Sequence, residues 1–108
     1  MITTTVIHSH VAVYLLVNGN GSPTRRITLP KLQHFLGKID GNDGNWMFNS
    51  EFLSPTFHRG DFDVMVDVFE ELGLVASRDH GRTKFVKDAK AKFTRGFNDS
   101  LLGLALPE

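Results

Sequence analysis

His8 and His10 stand one residue apart, and Asp61, Asp63 and Asp67 crowd into a span of seven residues. On a strand the two histidines would share a face, and on a helix they would diverge. Two imidazoles without a third ligand fall short of a zinc site, so ordinary surface histidines are the simpler reading. The three acids have the hard oxygen donors that a divalent cation takes, but they sit in a helical pattern without the loop of a calcium site. A solvated acidic face explains them better. Ser50, Ser54 and Ser100 lie in no nucleophile elbow, and the chain has no Cys to serve as nucleophile or thiolate ligand. Gly19-Asn20-Gly21 is a turn, because no Lys-Ser/Thr follows it as in a phosphate-binding loop. The expectation is a non-enzymatic protein with no cofactor and no bound metal.

The chemistry that remains is electrostatic. Formal net charge is zero, but the charges come in blocks. Residues 1–39 hold four basic residues and no acid, residues 40–71 hold eight acids against Arg59 alone, and residues 78–95 hold seven basic residues against Asp79 and Asp88. Folding either mixes these blocks into a neutral surface or leaves a dipolar molecule with one basic face for an anionic partner. The stretch FEELGLVASRDHGRTKFV, residues 69–86, holds both signs within one passage: an acidic helix end, a Leu-Gly-Leu stop and a basic hairpin.

These side chains are positioned by a simple run of elements. TTTVIHSHVAVYLLV is rich in β-branched residues, as strands are, yet long and free of Gly and Pro, as helices are; a helix is the preferred reading for residues 1–18, with a strand as the alternative. NGNGSPT is a loop, and RRIT fits a short strand. TLPKLQHFLGKI is a helix, with Thr28 as cap, Pro30 in the first turn and Leu32, Phe35, Leu36 and Ile39 on one face. Trp46, Met47 and Phe48 re-enter the core in a short strand, and NSEFL opens a short helix limited by Pro55. Gly60 marks a break or kink. In DFDVMVDVFEEL the apolar side chains cover an arc of about 200°, which implies burial on two sides, and the rest of the surface is Asp63, Asp67, Glu70 and Glu71. Gly73 ends this helix in the left-handed conformation and Leu74 packs back over its last turn. LVASRD and TKFVK alternate as strands around a turn at His80-Gly81-Arg82. On that period Arg78 and Lys84 project to solvent and Phe85 turns inward.

The order helix, short helix, longer helix ending in ELGLV, then basic hairpin resembles the winged helix-turn-helix superfamily over residues 28–88. FNSEFLSPTFHRGDFDVMVDVFEELGLV looks like the two helices of the turn motif, and ASRDHGRTKFV is similar to the wings of MarR-like bacterial regulators. The resemblance implies a small α+β winged-helix fold, mostly helical, with its core over residues 28–88, a β-hairpin wing and a helical tail over residues 89–106, within the single domain of residues 1–108 that the length suggests. It also implies double-stranded DNA as partner, with the longer helix in the major groove and the wing on the backbone. The chain departs from that pattern in one respect. Groove-reading helices carry Arg, Lys, Asn, Gln, Ser or Thr toward bases and phosphates, and this one carries carboxylates. DNA contacts are therefore expected from the opening of the helix (Thr56, His58, Arg59) and from the wing (Arg78, His80, Arg82, Lys84). The function this implies is a small prokaryotic or phage regulator of transcription, replication or partition. The alternative is a protein-interaction module that docks a basic partner on Asp63, Asp67, Glu70 and Glu71.

The remaining expectations concern setting and assembly. At 108 residues the chain holds one modest core, and its 41% apolar content with nine Phe fits a globular protein. The apolar run VAVYLLV is too short to span a membrane and no basic residue precedes it, so a cytoplasmic, membrane-free protein is expected. In the tail, Phe93, Phe97, Leu101 and Leu104 recur at near-helical spacing. They either cover the chain's own core or pair with a second copy in a homodimer, the preferred reading, to which the wide apolar arc of residues 61–72 adds weight.

Overall fold

A computed structural model describes residues 12–16, 23–42 and 44–100 of the chain. The fold over these residues is a small α+β arrangement. A two-stranded hairpin, β1 (Ala12–Leu16) and β2 (Pro23–Thr28), leads into helix α1 (Leu29–Ile39). Strand β3 (Trp46–Phe48) and a 3-10 turn (Asn49–Phe52) precede helix α2 (Arg59–Glu71). Strands β4 (Val75–Asp79) and β5 (Arg82–Phe85) form a hairpin, and helix α3 (Ala89–Ser100) follows. The antiparallel sheet has the order β3-β5-β4, so β5 is central and the other two strands are edges.

Each element follows from local chemistry. α1 begins after an extended Thr28, carries Pro in its first turn and buries Leu32, Phe35, Leu36 and Ile39. At the end of α2, the Gly73 N–H donates to the Glu70 carbonyl at 3.0 Å and the Leu74 N–H to the Phe69 carbonyl at 2.8 Å. Gly73 has φ +77, so this is the Gly-terminated cap expected there, and Leu74 is buried behind it. Gly60 does not break the chain: it is the second residue of an uninterrupted α2. Pro55 instead lies in a tight turn in which Ser54 and Phe57 exchange backbone hydrogen bonds of 2.9 and 3.2 Å.

The core is aromatic. Phe35 of α1 lies against Phe52, Phe62, Phe69 and Phe85, with ring centroids 5.1 to 6.2 Å away. Phe69 stacks on Phe93 at 4.8 Å, and Phe93 on Phe97 at 5.7 Å. α3 therefore lays its stripe on the chain's own core, and Phe93 and Phe97 are only 3% and 4% exposed. This corrects the dimer reading for those two residues; Leu101 and Leu104 lie outside the described residues. The wide apolar arc of α2 is likewise covered within the chain, by α1, β2 and β4, which removes the weight it lent to a dimer.

Two further expectations are corrected. Residues 12–16 form a strand paired with β2 rather than a helix, because β-branched content and a cross-strand partner outweigh length. The rest of the segment 1–18 lies outside the described residues. The turn of the second hairpin spans only His80 and Gly81, both at positive φ (+45 and +79), and Arg82 belongs to β5. This is the two-residue turn whose twist suits antiparallel strands. Its register sets Arg78 opposite Thr83, and Lys84 opposite Ser77. Arg78 and Lys84 therefore lie on opposite faces, because a one-residue change in turn length moves every side chain across the sheet.

Candidate nucleic-acid interface

Thr56, His58 and Arg59 sit at the opening of α2 and are exposed. Their surroundings are polar and partly occupied. The Thr56 N–H donates to Ser54 Oγ at 3.2 Å, which fixes the turn before the helix. The His58 N–H donates to the Asp61 carboxylate at 2.8 Å, and Lys31 of α1 reaches the same carboxylate at 3.0 Å. Asp61 thus satisfies a backbone donor at the positive end of α2 and ties α1 to it. Among the described residues, no cluster of His and carboxylates could hold a metal ion. His8 and His10 lie outside them.

The four hairpin residues divide. Arg78 turns toward α2, where its guanidinium donates to Glu70 at 3.2 Å and stands 3.9 Å from Asp67. The acidic helix and the basic hairpin are neighbours, and Arg78 is held by the carboxylates rather than free for a ligand. Arg82 donates to Asp79 at 3.4 Å and lies over the indole of Trp46, 4.7 Å from the ring centroid. His80 projects at the turn beside Asp79 and is almost fully exposed. Lys84 is half-buried and, among the described residues, makes no ion pair. The hairpin is anchored from below: the Asn49 N–H donates to the Gly81 carbonyl at 2.8 Å, and the Thr83 hydroxyl donates to Asn49 Oδ1 at 2.9 Å.

Of the four carboxylates on the outer side of α2, Asp63 is exposed and Asp67 and Glu70 remain half-exposed beside Arg78. Glu71 is exposed as well. Three ion pairs join the charge blocks across the fold: Lys31–Asp61, Arg78–Glu70 and Lys90–Asp40 (3.3 Å). A cavity of about 270 Å³ between the end of α1 and the start of α3 is lined by both Asp40 and Lys90 and by Thr94, whose buried hydroxyl has no hydrogen-bond partner. It shares no residue with the surface formed by α2 and the hairpin.

Two residues assigned to the core from sequence belong instead to this surface. Trp46 is 38% exposed and Phe48 58% exposed, while Met47 between them is buried. Among the described residues, no helix is long and apolar enough to cross a membrane. No protein-family model, curated protein or solved structure matches the chain.

Proposed function

We propose that the chain is a non-enzymatic, winged-helix protein that binds duplex DNA. The observation that carries this reading is topological. α1, β3, the 3-10 turn, α2 and the β4–β5 hairpin follow in the order of a winged helix, with a β3-β5-β4 sheet in which the hairpin is pinned beside the turn that leads to α2. In this reading α2 enters the groove by its opening, with His58 and Arg59 near phosphates, and the hairpin contributes His80, Arg82 and Lys84. Arg78 drops out of the contact set because Glu70 and Asp67 hold it. The middle of α2 stands off the duplex, since its carboxylates would face a polyanion. A regulatory role in transcription, replication or partition is the biological setting this activity fits.

The test is residue-level mapping by amide NMR during titration with a short duplex. Shifts confined to residues 56–59 and 80–84 are expected. Shifts centred on α3, or none at saturating duplex, would overturn the reading. A second reading keeps the same fold and uses α2 as a docking face for a basic partner. It is favoured by the exposure of Asp63, Asp67 and Glu70, for which Arg78 is the only neutralising cation in the hairpin.

A further inference from the structure

We infer that the solvent face of β3 and β5 is a stacking surface for the unpaired bases of a single-stranded nucleic acid. Trp46 and Phe48 point to one side of β3, opposite the buried Met47. They face Lys84 and Arg82 of β5 in register. The same face therefore alternates aromatic rings with cations, and the Arg82 guanidinium is already stacked over the indole. Among the described residues β3 is an edge strand, and both rings remain exposed. Two side chains on one face of a strand are about 7 Å apart, close to the step of an extended nucleotide chain. Rings at that spacing take successive bases while the cations meet the phosphates, which is how sequence-tolerant single-strand sites are built.

The charge pattern chooses the occupant. Protein-protein interfaces are depleted of Lys, and here Lys84 stands opposite Trp46 and beside Arg82, so two cations flank the rings and favour an anionic occupant. Asp79 holds Arg82 only at 3.4 Å, and Lys84 makes no ion pair among the described residues, so positive charge remains beside the rings. A duplex cannot use the rings, because its bases are stacked on one another, so the occupant must be unpaired. The inference draws on no residue of α2 and holds whether or not α2 reads a groove.

Trp46 is the single Trp of the chain, so its emission reports on this face directly. The probe is an oligothymidylate of about 12 nucleotides, within the range one small domain covers. Saturable quenching at low salt is expected, and a duplex of equal length, which can reach Arg82 and Lys84 but not stack on the rings, should bind wild type and Phe48→Leu equally well. Phe48→Ala and Phe48→Leu should each weaken single-strand binding at least roughly fivefold, and Phe48→Tyr should restore it, because only an aromatic ring stacks. Unchanged thermal melting would show that these variants fold. Arg59→Ala should weaken duplex binding alone, so this inference and the duplex reading fail separately. Absence of quenching, or wild-type oligonucleotide affinity in Phe48→Leu, would overturn the inference. So would self-association that Phe48→Ala abolishes without changing oligonucleotide affinity, since the face would then belong to a second copy.

Discussion

Phe35 carries the centre of the molecule and Arg78 decides how its charges are read. Five other phenylalanine rings, those of Phe52, Phe57, Phe62, Phe69 and Phe85, converge on Phe35, which is fully buried, and truncation leaves a void at their meeting point. Phe35→Ala is expected to destabilise the chain by about 3–5 kcal/mol, measured by urea denaturation. That is a large fraction of the stability of a small domain, so the variant should be partly unfolded at room temperature. Arg78 tests the electrostatic assignment. Its partners are half-exposed carboxylates, so its ion pairs add little stability, of order 0–1 kcal/mol after solvent screening. Arg78→Ala should lower the melting temperature only slightly and leave the salt slope of duplex binding unchanged. A slope that falls as much as it does for Lys84→Ala would return Arg78 to the contact set.

At the scale of elements, α3 and the second hairpin separate what the sequence announces from what it conceals. The stripe Phe93 and Phe97 is legible as buried, but a stripe looks the same whether it faces its own core or a twin. The stack Phe69–Phe93–Phe97 decides for the chain's own core. Truncation after Lys92 should therefore unfold the chain rather than release a folded monomer, as circular dichroism with light scattering would show. The end of α2 is readable because its residue is conformationally distinctive, whereas Thr28 precedes α1 without a side-chain cap hydrogen bond: Gly73 sits at φ +77, and Gly73→Ala should cost more than about 1 kcal/mol. Gly37 and Gly96, by contrast, lie exposed within helices with open space where a Cβ would stand. Gly96→Ala should raise stability by about 0.5–1 kcal/mol. The hairpin turn was harder to read, because His80 is an uncommon residue at positive φ and the longer turn His80-Gly81-Arg82 looks equally good. That single residue moved Arg78 to the helix side. Trp46-Met47-Phe48 hid its orientation for a related reason: three apolar residues in a row show no alternation, and only pairing with Thr83 reveals that Met47 is the inward one.

At the scale of the whole molecule, the oppositely charged blocks of the sequence meet at Lys31–Asp61, Arg78–Glu70 and Lys90–Asp40. On the DNA-binding account, cations at the opening of α2 and on the hairpin work against the acidic middle of α2. Replacing Asp63, Asp67 and Glu70 by Asn, Asn and Gln removes three negative charges and frees Arg78. On the DNA-binding account this variant should bind non-specific duplex more tightly than the wild type, with a steeper salt dependence. On the docking account it should lose a basic protein partner and gain no DNA affinity.

The central claim is that duplex DNA is held by phosphate contacts from Arg59 and Lys84. It is tested most directly by fluorescence anisotropy of a labelled duplex across about 50–200 mM salt, with wild type and the Arg59→Ala, Lys84→Ala double variant. The account predicts a linear fall of log K with log salt for the wild type, and a slope shallower by about one unit per lost phosphate contact in the variant. No binding at the lowest salt, or identical slopes for the two proteins, would contradict it.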